Sequence, residues 1–75
     1  MQVDRLIADV TGAPQESARF RFQIMADMLG KAGYSISPKA VEKWQSRGNV
    51  PSWWLSRVLG VAADNGRPVD ITDYL

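Results

Sequence analysis

Four times along this chain an apolar stripe at helical spacing runs into a glycine a few residues later. Val3, Leu6, Ile7 and Val10 recur at i, i+3, i+4 and i+7, and Gly12 follows. Phe20, Ile24, Met25, Met28 and Leu29 repeat the pattern before Gly30 and Gly33. Ala40, Val41 and Trp44 precede Gly48, and Trp54, Leu55, Val58, Leu59, Ala62 and Val61 precede Asn65-Gly66. A stripe of period 3.6 gives a helix one face to bury. Glycine just beyond it accepts the left-handed conformation that ends the helix. No stretch combines strand alternation with a hairpin turn pair. The fold class that follows is all-α, with four to five short helices.

The expected helices span about 2–11, 15–32, 38–47 and 52–64. Pro14 suits a first helical turn, because the donor it lacks would be unpaired there anyway, and Ser17 is a second candidate start as an N-cap. Gly33 is the favoured end of helix 2; Gly30 then lies inside it at a cost of ~1 kcal/mol relative to Ala. The tail 67–75 carries Val69, Ile71, Tyr74 and Leu75 and is compatible with two forms. One is a short helix capped by Asp70 or Thr72, the other an extended arm.

At 75 residues the chain has room for a single domain, 1–75, with marginal core burial. Domains this small often add disulfides, a metal or a partner subunit. The sequence has no Cys and no His, which removes disulfides, thiolate sites and the commonest transition-metal ligand. Oligomerisation is the support that remains, so a homodimer is expected and no cofactor is. Asp4, Arg5 and Asp9 interrupt the first apolar residues, and no apolar run approaches the ~18 residues of a membrane span. The expectation is a cytoplasmic protein without a membrane segment.

Net charge is only +1, but it is unevenly placed. Residues 1–18 carry −2 and residues 59–75 carry −2. Between them, Arg19, Arg21, Lys31, Lys39, Lys43, Arg47 and Arg57 stand against Asp27 and Glu42, giving +5. A local basic region attracts phosphates even on a nearly neutral chain.

The centre of that region is "SISPKAVEKWQSRGNVP", Ser35 to Pro51. Ser37 can cap a helix whose first residue is Pro38, and Gly48 with Pro51 stops it. Ala40, Val41 and Trp44 share the inner face. Lys39, Glu42, Lys43, Gln45, Ser46 and Arg47 occupy the rest of the circumference. Lys and Arg bond phosphates or guanine, Gln pairs with adenine, and Glu accepts from cytosine. Ser35 and Ser37 stand where a hydroxyl can bond a phosphate beside the positive helix end. The same composition is also that of an ordinary solvated helix face. Trp44 reads as a core anchor, and Trp53 and Trp54, adjacent on a helix, can each be only partly buried.

The segment Ser37 to Pro51, "SPKAVEKWQSRGNVP", resembles the recognition helix and its exit in Cro/repressor-like helix-turn-helix regulators of phages and bacteria. There the pattern is of the type "SPxAVxxWxxRGxVP", and with the flanking helices the likeness covers about residues 18–66. The resemblance implies double-stranded DNA as partner and transcription regulation, repression included, as role. It places Lys39, Glu42, Lys43 and Ser46 at base edges and phosphates, and Ser37 and Arg47 at phosphates near the helix ends. Glu42 has three readings: it repels phosphate, pairs with a nearby Lys, or restricts the site to particular sequences. Arg19, Arg21 and Ser35 are further phosphate candidates outside the matched motif. The chain departs from the family in one respect. Ala26 and Gly30 fit, but the next apolar position, Val41, comes late, so "KAGYS" lengthens the turn. Tyr34 and Ile36 are expected to cover it.

A small protein-interaction module, antitoxin-like or anti-repressor, fits the same helices without DNA. An enzyme is not expected. The carboxylates are scattered and there is no Gly-rich phosphate loop. A four-helix chain of 75 residues also has little room for an ordinary pocket and its small-molecule substrate.

Overall fold

In the computed structural model, which describes residues 1–75, α1 spans Val3–Thr11. Leu6, Ile7 and Val10 are fully buried, as their spacing requires. The Thr11 hydroxyl closes the last turn by donating to the Ile7 carbonyl at 2.7 Å.

α2 spans Ala18–Lys31, three residues later in its start than the expected 15–32. Ser17 decides the start: its extended backbone breaks the helix, and its Oγ accepts from the Phe20 amide at 3.2 Å. Pro14 stays in the preceding turn. The buried face of α2 is also corrected. Phe22, Met25, Ala26 and Leu29 are buried, whereas Phe20 is 52% exposed. Residues 22, 25, 26 and 29 form one stripe, and position 20 lies about 160° from its centre.

The α2 exit is made by Gly33, at φ +94°, a region L side chains rarely adopt. The turn it allows sends the Tyr34 amide back to the Leu29 carbonyl at 2.8 Å, satisfying a helix-end acceptor. Gly30 lies inside the helix. Tyr34 and Ile36 pack against the core from the lengthened turn, as expected.

α3 spans Pro38–Arg47 and α4 spans Ser52–Asp64, both as read from the sequence. The tail forms a single turn of 3-10 helix, Ile71–Tyr74. Asp70 caps it, accepting from the Thr72 amide at 3.0 Å and the Thr72 hydroxyl at 2.8 Å. These bonds hold the Asp70 carboxyl below the usual carboxylate range. Tyr74 is buried and returns the chain to α1. Its carbonyl accepts from the Gln2 amide at 2.6 Å, and its hydroxyl donates to Asp9 at 2.5 Å.

One apolar cluster of 14 residues draws on all four α-helices, on Val50 between α3 and α4, and on Tyr74. A single contiguous core is the mark of one folding unit. The structure is all-α, and no helix is long and apolar enough to cross a membrane.

Candidate nucleic-acid interface

α3 is fixed at both ends by its own residues. Ser37 Oγ accepts from the Ala40 amide at 3.2 Å, and Pro38 presets the first turn. At the far end Gly48, at φ +70°, lets the Asn49 amide reach the Trp44 carbonyl at 3.1 Å. Along its length Val41 is fully buried and Trp44 is 5% exposed, with Trp44 packed on Trp54 at 5.7 Å between ring centroids. α2 packs directly on α3. The lengthened turn therefore leaves the helix pair closed.

With Val41 and Trp44 inside, the outward side of α3 is determined. Lys39, Glu42, Lys43 and Ser46 are all exposed. At about 100° per residue they occupy roughly 100° of arc opposite the buried pair. Arg47 is exposed beside Lys43 on that wheel, at the C-terminal end where a cation also suits the helix dipole. Ser35 is exposed in the turn ahead of the helix. Ser37 uses its oxygen as the cap acceptor and keeps its hydroxyl proton as a donor.

Gln45 is not part of this side. It is half-buried, its Oε1 has no partner, and it faces Ala18 and Phe22 across a groove toward α2. The one amide on α3 suited to adenine is turned away from the presented face.

The two arginines of α2 separate. Arg19 is exposed and lines an open groove of about 550 Å³ together with Pro38, Lys39 and Glu42. It joins the α3 residues. Arg21 lies about 200° further round the helix. It is half-buried, and its Nη1 donates to the Pro14 carbonyl at 3.4 Å and to the Glu16 carbonyl. It ties down the α1–α2 connection instead of facing outward with Arg19.

A second surface feature, built on Arg57, was not legible as a unit in the sequence. Tyr34, Trp53, Trp54 and Trp44 form a chain of ring contacts. The Arg57 guanidinium lies 3.6 Å from the Trp53 ring centroid and 5.7 Å from that of Tyr34. The one signal in the sequence was the spacing of four between Trp53 and Arg57, which puts them on one helix face. Trp53 is 53% exposed and Trp54 half-buried, so the pair divides as adjacent helix positions must.

No group of three or more His, Cys, Asp or Glu side chains is arranged to hold a metal ion. Compared with known proteins, the chain matches no family model, no curated protein and no solved structure.

Proposed function

We propose that this protein is a sequence-specific DNA-binding transcriptional regulator of the Cro/repressor-like helix-turn-helix kind, acting as a homodimer. α3 enters the major groove. The observation that carries this is the outward side of α3: Lys39, Glu42, Lys43 and Ser46 on one exposed arc, with Arg47 beside them. The groove, about 12 Å wide, admits one helix, and these side chains match the donors and acceptors on its floor and walls. Lys39 and Lys43 serve phosphates or guanine, and Glu42 suits cytosine N4. Ser35, Ser37, Arg47 and Arg19 serve the backbone, where contacts fix register without reading sequence. Arg21, spent on carbonyls of its own chain, has the weakest claim.

Two copies are needed for geometric reasons. The molecule measures 25 Å along its longest principal axis. Half-sites read from one side of the duplex lie about 34 Å apart, so one copy fills one of them.

The test is fluorescence anisotropy with a labelled mixed-sequence duplex at low and moderate salt. Wild-type binding should weaken steeply with salt, and Lys39→Ala and Lys43→Ala should each flatten the log–log slope by ~0.9 per lost phosphate contact. Absence of binding at ~50 mM salt, where non-specific contacts are strong, would refute the proposal. It would favour a protein-interaction module with α3 as its contact surface.

A further inference from the structure

The outward face of α4 carries three features that the isolated molecule does not explain. Trp53 is 53% exposed, held in place by the Arg57 stack and by an edge contact with Tyr34 at 6.2 Å. Gly60 sits in the helix interior and exposed, where glycine weakens its own helix. A Cβ built on it would meet nothing within 4 Å, so no neighbour in this chain requires the glycine. Asp64 stands in the last helical turn, which holds no basic residue, with its charge opposed to the helix dipole.

All three belong to one surface. Trp53, Arg57, Gly60 and Asp64 fall within about 60° of arc, on the side of α4 away from Val58 and Ala62. Tyr34, Ser56, Arg57, Gly60 and Asp64 border a concave region of about 340 Å³. Arg57 and Asp64 are separated by about 10 Å along the helix, too far to pair with each other. They lie on either side of Gly60, three and four residues away. Such a face is complementary to itself. When two α4 helices meet antiparallel about a two-fold axis near Gly60, Arg57 of each falls opposite Asp64 of the other. The glycine then lets the backbones approach, and each Trp53 falls opposite the segment that follows the C-terminal end of the other helix.

We propose that α4 docks antiparallel on α4 of a second copy of this chain, through Trp53, Gly60 and two reciprocal Arg57–Asp64 pairs. The contact is isologous and closed, as a two-fold dimer requires. Arg57 is held for it: its Nη1 donates to the Trp53 carbonyl at 2.9 Å and to Ser56 Oγ at 3.1 Å, and no hydrogen bond within the chain engages its Nη2. The opposing Arg57 also supplies the cation that the C-terminal end of α4 lacks. This contact rests on the homodimer proposed above and gives it an interface; it is tested without DNA, so DNA binding and the α4 contact can fail independently of each other.

Sedimentation equilibrium of the full chain at about 100 μM, where a dimer with a dissociation constant of about 10 μM predominates, gives the first result. The wild type should sediment at twice 8.3 kDa. Arg57→Asp and Asp64→Arg, each placing like charges opposite one another, should sediment as monomers. An equimolar mixture of the two variants should recover the dimer, because both cross-pairs become opposite in sign again. Gly60→Gln guards against simple misfolding: it should raise the melting temperature of the monomer yet abolish the dimer. A monomeric wild type would overturn the proposal. So would a dimer indifferent to the three single substitutions, or a mixture that stays monomeric.

Discussion

Phe20 and Phe22 stand two residues apart on α2, which turns them about 200° from each other. Phe22 is 6% exposed and packs with Met25 and Leu29, while Phe20 is 52% exposed. Truncating the two should therefore have unequal effects. Phe22→Ala should cost about 3–5 kcal/mol, as large core truncations do. Phe20→Ser should stay within about 0.5 kcal/mol of wild type. Urea unfolding compares them directly, and equal losses would place Phe20 in the core after all. The sequence predicts the helix here but not its inner face, because α2 is apolar on several sides. Phe20, Ile24 and Met28 make one stripe at a spacing of four, and Phe22, Met25, Ala26 and Leu29 make another. Only the neighbours of α2, which periodicity does not contain, select between them. The polar residues of α3 were more legible, since Val41 and Trp44 left a single outward side.

At the scale of elements, the best-read helices are those whose limits are local chemistry. Ser37-Pro38 opens α3, Gly48 closes it, and Pro51 with Ser52 begins α4; no distant contact has to be known. The sequence leaves the start of α2 open between Pro14 and Ser17, both sound openings, and Ser17 is the one used. Arg21 then ties down the turn ahead of that cap, donating to the carbonyls of Pro14 and Glu16. The two caps of α3 also separate stability from binding. Ser37→Ala removes the bond to the Ala40 amide and should cost about 1 kcal/mol. Gly48→Ala should cost about 1–2 kcal/mol by left-handed strain alone, since its Cβ would meet no neighbour. The sites lie far enough apart for the two losses to add. Thermal unfolding should show both effects. Anisotropy at a temperature where both variants are folded should show weaker DNA binding for Ser37→Ala only, as its hydroxyl is a proposed phosphate donor.

For the molecule as a whole, the C-terminal turn joins the two ends of the chain, and it carries the one strongly displaced titration. Burial, with the hydrogen bond to Asp9 and the charge of that carboxylate, pushes the Tyr74 hydroxyl from 10.0 up to about 12. The nearby Arg5 guanidinium, 5.2 Å from the ring centroid, opposes this only in part. A raised folded value means that the folded chain keeps a proton which the unfolded chain gives up. Below pH 10.0 Tyr74 is protonated in both states, and its contribution to stability is fully present. Between 10.0 and about 12 the unfolded chain ionises first, so that contribution is lost as pH rises. Nothing in the tail sequence announced this, because the bond joins residues 65 positions apart. Tyr74→Phe keeps the ring in the core and removes the ionisation. Melting temperatures of wild type and Tyr74→Phe should run parallel below pH 10.0, the wild type higher, and converge between 10.0 and about 12 as the wild type falls more steeply. A constant difference across that window would mean that the alkaline loss arises elsewhere. Convergence toward the variant's curve would show that the Tyr74–Asp9 bond supplies the stability lost in that window, beside the Gln2–Tyr74 backbone bond that joins the same two ends.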